Sequence, residues 1–144
     1  MTSAGPILSH LKPLIFAAAC VLSVGACDER GPAGPTVPLG REFTLEPGQT
    51  ASLEGTSFRV RFLRVSGDSR CPADVVCVQG GDAVVHVRAA DGGSAEYELH
   101  TGDRSRAVAA HAGFRIALER LQPYPFSSRV IQPEEYRAAL TVSR

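Results

Sequence analysis

From Ser57 to Val142 the apolar residues of this chain recur at every second position, in short runs separated by turn residues. Phe58, Val60 and Phe62 alternate with Arg59 and Arg61; Ala83, Val85, Val87 and Ala89 with Val84, His86 and Arg88. Tyr97, Leu99 and Thr101 alternate with Glu96, Glu98 and His100; Phe114, Ile116 and Leu118 with Arg115, Ala117 and Glu119. Tyr136, Ala138, Leu140 and Val142 close the chain in the same rhythm. A period of two puts one face of a strand in a core and the other in solvent, which no helix can satisfy. Pro47-Gly48, Asp91-Gly92-Gly93, Gly102-Asp103 and Pro123-Tyr124-Pro125 punctuate the runs. Short half-buried strands at this spacing predict an all-β antiparallel sandwich or small barrel-like domain over 39–144. The phase slips at Phe62-Leu63, which predicts a bulge. Pro133-Glu134-Glu135 starts at most one short helical turn.

The opening of the chain has a different character. Lys12 is its one formal charge, an apolar run from Leu14 to Val24 follows, and Gly25-Ala26 precede Cys27. This is the pattern of a secretory signal, and the run is too short to span a bilayer. Leu22-Ser23-Val24-Gly25-Ala26-Cys27 reads as a lipobox, so residues 1–26 are expected to be a lipoprotein signal peptide and Cys27 the lipidated residue. Two or three acyl chains hold a protein on a membrane for long times. Cys20 is the weaker cleavage candidate, because it leaves too little apolar run before it. Asp28 to Pro38, rich in Pro and Gly, is expected to be a flexible linker, giving 27–38 as lipidated cysteine plus spacer. The localisation implied is a bacterial cell envelope, facing the periplasm or cell exterior.

Composition then narrows the function. All 14 arginines and all 15 acidic residues follow Cys27, so the 118 residues from Cys27 onward carry a formal −1. No basic excess points to nucleic acid. With Cys20 in the leader and Cys27 acylated, Cys71 and Cys77 remain, and in an oxidising compartment they are expected to form a disulfide. A zinc site would need two further ligands nearby.

Three constellations carry chemical possibilities. Gly67-Asp68-Ser69 echoes a serine-protease nucleophile segment, but Arg70-Cys71 follow where glycines are required, and the one earlier histidine is His10 in the leader. A hairpin with a Gly92-Gly93-Ser94 loop would set His86 directly opposite His100 on the outer face, close enough for two rings to share a metal. They are metal candidates, weighed against an ordinary exposed pair. Arg59, Arg61 and Arg64 could line an anion stripe, and Asp68, Asp74 and Asp82 a calcium site; ion-paired or solvated surface residues account for both sets more simply. No cofactor is expected, and no nucleophile–base pair is visible, so the chain reads as non-enzymatic.

Asp68-Ser69-Arg70-Cys71-Pro72-Ala73-Asp74-Val75-Val76-Cys77-Val78-Gln79-Gly80-Gly81-Asp82-Ala83 resembles a family of uncharacterised small exported bacterial proteins with a D-S-R-C-P-x-x-V-x-C-x-W-x-G-x-A core. The likeness covers roughly 58–142, including Leu121-Gln122-Pro123-Tyr124-Pro125 and a last strand centred on Tyr136. Gln79 stands where the family has tryptophan. The resemblance implies a motif that links two strands and brings no activity. A rigid disulfide loop on a strand scaffold is a natural contact surface, with Arg70, Asp74 and Gln79 as its polar contacts. The expectation is a membrane-tethered module that binds a protein partner in the envelope, with a periplasmic metal- or small-ligand-binding lipoprotein as the alternative.

Overall fold

The computed structural model describes residues 1–2 and 33–144; residues 3–32, with the rest of the leader, Cys20, Cys27 and the first part of the linker, lie outside the described residues. The domain is all-β. Nine strands run in chain order: β1 Ala33–Val37, β2 Glu42–Leu45, β3 Thr50–Leu53, β4 Arg59–Asp68, β5 Ala83–Ala90, β6 Ser94–His100, β7 Val108–His111, β8 Phe114–Gln122 and β9 Arg137–Ser143. They form a five-stranded sheet, β1-β3-β4-β5-β6, and a four-stranded sheet, β2-β9-β8-β7. Neither sheet closes on itself, so the architecture is a sandwich. One 3-10 turn, Pro133–Glu135, sits where the proline and two glutamates predicted it.

The alternating residues make the core. Ala51, Val60, Phe62, Val85, Val87 and Leu99 from the first sheet are fully buried, as are Leu45, Ile116, Ala138 and Leu140 from the second. Each fully buried large apolar side chain contributes roughly 1.5–3 kcal/mol, so this interdigitated layer is the main source of stability. The expected bulge is present, where the β4–β5 register shifts between Phe62 and Arg64. A second shift between Val65 and Gly67 leaves Ser66 without a partner on β5.

Two expectations are corrected. Ala33–Val37 is not spacer but strand, paired in parallel to β3 with Val37 beside Leu53. Gly34 permits the approach, because a Cβ there would lie 2.6 Å from the Thr50 carbonyl oxygen. The β5–β6 hairpin turns on Asp91-Gly92-Gly93, with Ala90 facing Ser94. Gly92 takes the left-handed conformation in this turn, at φ 71°, which glycine adopts without steric cost. The shift from a Gly92-Gly93-Ser94 loop keeps the same faces together but moves every partner by two. His86 therefore faces Glu98, and His100 faces Val84.

The register also sorts the connections into two ends. The short turns and hairpins around 38–41, 54–58, 91–93 and 112–113 lie at one end. The 46–49 turn and the longer connections 69–82, 101–107 and 123–136 lie at the other, called here the loop end.

Candidate functional site

The loop end is organised around one buried arginine. Arg70, at the foot of the β4–β5 loop, is 8% exposed. Its Nε and Nη2 donate to the two Asp68 carboxylate oxygens at 2.8 and 2.6 Å. Nη1 donates to the Leu121 carbonyl at 2.6 Å, and Nη2 also to the Pro123 carbonyl at 2.9 Å. The Tyr136 hydroxyl donates to Asp68 at 3.1 Å, and the guanidinium lies 5.3 Å from the centre of the Tyr124 ring. A planar fork with five donors suits this set of acceptors, and a lysine could not reproduce it. Burial alone would raise the Asp68 pKa, but the bonds and charge of Arg70, with help from Tyr136, hold it below the ordinary value. Burial, followed by the Asp68 charge, pushes the Tyr136 hydroxyl up to about 12. Arg70 is thus no polar contact for a partner. It is a clamp between the two sheets.

The rest of the loop is pinned in the same manner. Cys71 and Cys77 form the expected disulfide, with Cα atoms 6.0 Å apart. Asp74 accepts from the Ser127 amide at 2.8 Å and hydroxyl at 2.5 Å, which lowers its pKa. Ala73 N donates to the Pro125 carbonyl at 2.9 Å, so the 69–82 and 123–136 loops are bonded to each other. At the neck, Ser69 N donates to the Asp82 carbonyl at 2.7 Å and Asp82 N to the Ser69 hydroxyl at 3.1 Å. Gly81 makes that closure possible: a Cβ there would sit 1.5 Å from the Ser69 carbonyl oxygen, whereas Gly80 faces open space. Of the three expected polar contacts, Gln79 is exposed and Asp74 is already committed to Ser127.

What the loops display is apolar. Of the seven large apolar residues exposed between 33 and 144, six lie on these two loops: Val75, Val76, Val78, Tyr124, Phe126 and Val130. Val76 and Val78 are fully exposed, and Val130 is 79% exposed. Sequence reasoning looked for polar contacts here and missed them. The signal was available in Val75-Val76 and Val78, valines that flank a cysteine and belong to no alternating run.

The two histidines are separate sites, and both are buried. His100 Nδ1 lies 2.5 Å from Asp82, whose other oxygen accepts from Thr101 Oγ1 and Gly102 N. Burial would raise the Asp82 pKa, but the bond from His100 and that from Gly102 N bring it below its ordinary value. His100 Nε2 has no hydrogen-bond partner among the described residues. His86 instead meets β4 and β6. Asp68, Asp74 and Asp82 are each satisfied by different neighbours, and no group of three or more metal-ligating side chains occurs among the described residues. Arg64 is ion-paired with Glu96 at 3.2 Å, the solvated-face reading of the arginine stripe.

One arrangement was invisible in the sequence. Ser66, set out by the second bulge, lies 2.7 Å from His86 Nε2, and His86 Nδ1 lies 3.2 Å from Glu96 Oε1. With the proton on Nδ1, toward the carboxylate, Nε2 accepts from the serine. That is the connectivity of a nucleophile, base and orienting acid. Against it, an Arg64 Nη2 lies 3.3 Å from the same Nδ1.

Comparison with protein-family models, with curated proteins and with solved structures finds no match to this chain.

Proposed function

We propose that this chain is a lipid-anchored, non-enzymatic β module of a bacterial envelope, held to a membrane through Cys27 and acting by contact through its loop end. One observation carries the reading. Six exposed apolar residues are displayed on backbone held by a disulfide, by the Asp74–Ser127 bonds and by the Arg70 clamp. Exposed apolar side chains cost solubility and commonly mark contact sites, and a pre-ordered backbone reduces the entropy lost on contact. The metal-binding alternative has weaker support, since His86 and His100 are not cross-strand partners and each is engaged by other side chains.

The test is photo-crosslinking in the native envelope, with a crosslinking residue introduced at Val78 or, as a control at the opposite end, at Glu54. Adducts to an envelope component from position 78 and none from position 54 support the reading. Equal yields from both ends would overturn it.

A further inference from the structure

We infer that the component met by the loop end is the lipid bilayer itself: Val76, Val78, Phe126 and Val130 seat in the boundary between headgroups and acyl chains of the membrane that holds Cys27. The inference rests on the anchored-module reading and names what its contact surface touches. Size favours lipid over protein. Val76, Val78, Phe126 and Val130 are exposed on two loops bonded to each other, a set no larger than about the few hundred Å² of an ordinary apolar surface patch. A stable protein interface takes about 800 Å² from each partner. A tethered domain needs far less, because the anchor keeps the bilayer at a high effective concentration.

Chain direction and tether length bring the two together. β1 runs parallel to β3, so the chain reaches Ala33 from the side of the loop end. Ala33 lies in the row of Thr50, Arg61 and Arg88, five residues along β5 from the row of Asp68 and Ala83 where the large loop begins. At about 3.4 Å per residue that offset is about 17 Å. Five residues lie between Cys27 and Ala33, and the six Cα-to-Cα steps reach about 20 Å at full extension. Cys27 can therefore reach the level at which the large loop leaves the sheet, and tilting the strands is what would bring the loop tips and the acylated cysteine to one membrane plane. Arg129 is paired with Glu135, and Asp74, an exposed carboxylate on the same loops, is bonded to Ser127. The contact is carried by the exposed apolar side chains and should hold at high salt.

The chain contains no tryptophan, so one introduced residue reports its own surroundings. The full lipidated protein, carrying Val78→Trp, Val130→Trp or Glu54→Trp, is reconstituted into phosphatidylethanolamine–phosphatidylglycerol vesicles with and without brominated acyl chains. Emission from positions 78 and 130 is expected to shift to the blue and fall at least two-fold with brominated lipid; emission from position 54 is expected to stay unchanged. In the Val130→Trp protein, adding Val76→Asp and Val78→Asp should abolish most of the quenching while the unfolding midpoint is kept. Unquenched emission at 78 and 130 overturns the seat, as does quenching that appears only when copies crosslink to each other or to a second protein. Mass spectrometry of Cys27 on the same samples separates the two failures: acylated protein with unquenched emission sinks the seat alone, and unacylated Cys27 sinks the anchor on which it rests.

Discussion

Arg70 Nη1 lies 2.6 Å from the carbonyl oxygen of Leu121, joining the foot of the disulfide loop on one sheet to the end of β8 on the other. The same guanidinium satisfies Asp68 and the Pro123 carbonyl, so one side chain sets the relative position of both exposed loops. Replacing it would leave the Asp68 carboxylate without its counter-charge and two carbonyls without a donor.

Arg70→Ala is therefore expected to cost about 3–5 kcal/mol, as for other broken buried pairs. Arg70→Lys should recover little of this, because one ammonium cannot span four acceptors. Denaturant unfolding of the three proteins gives the comparison; near-equal stability of the lysine and native forms would remove the clamp from this account.

Stability should fall at both extremes of pH, for different groups. Asp68 and Asp82 have pKa values below their ordinary 3.8 in the folded protein. Their contribution is complete above that value and is lost as pH falls through the folded pKa, since the unfolded chain takes up the protons first. Tyr136 behaves in the opposite sense, with a folded pKa of about 12 against 10.0. Its contribution is complete below pH 10 and lost between 10 and 12, where the unfolded chain has released the proton and the folded one retains it. Tyr136→Phe should flatten the alkaline limb of a stability–pH profile, and Asp68→Asn should flatten part of the acid limb.

Adjacent glycines should behave unequally. Gly80→Ala meets nothing within 4 Å and is expected to change stability by less than about 0.5 kcal/mol. Gly81→Ala drives a methyl into the Ser69 carbonyl and must break the Ser69–Asp82 neck. Thermal unfolding should show a loss of several degrees, on the order of 1 kcal/mol or more, for the second alone.

Reduction of Cys71–Cys77 is expected to cost about 2 kcal/mol, the loop-closure entropy of so short a ring. Hydrogen exchange should rise over 72–80 and stay unchanged in β5 and β8. Uniform loss of protection would mean that the disulfide supports the whole sandwich.

Ser66 offers the sharpest test of the non-enzymatic reading. A fluorophosphonate probe is expected to leave the folded protein unlabelled, because Arg64 Nη2 lies 3.3 Å from His86 Nδ1 and, as an obligate donor, opposes the protonated Nδ1 that a serine-activating histidine needs. Labelling that disappears in Ser66→Ala and His86→Ala would make the chain an acyl-transfer catalyst instead.

The sequence by itself determined the fold class and the alternating core strands, because the two-residue period is set by neighbours on the same strand and the bulge at Phe62-Leu63 by a slip in that period. It also pointed to the Cys71–Cys77 bond, since only two cysteines were left for it. The parallel strand Ala33–Val37 was not legible: Gly34 and Pro35 argue locally for a spacer, and its pairing comes from β3 and the adjoining Glu54, distant in sequence. Hairpin parity was legible but its register was not, since a shift of two preserves every buried face, and both candidate loops contain Gly92 and Gly93. The tertiary structure decided the fate of Arg70, whose carbonyl partners are 51 and 53 residues away. It likewise decided that of Ser66, 20 residues from His86. A strand's face is a local property. The partner of a buried charge depends on which distant segments the packed sheets bring within hydrogen-bonding distance, and no local pattern encodes that.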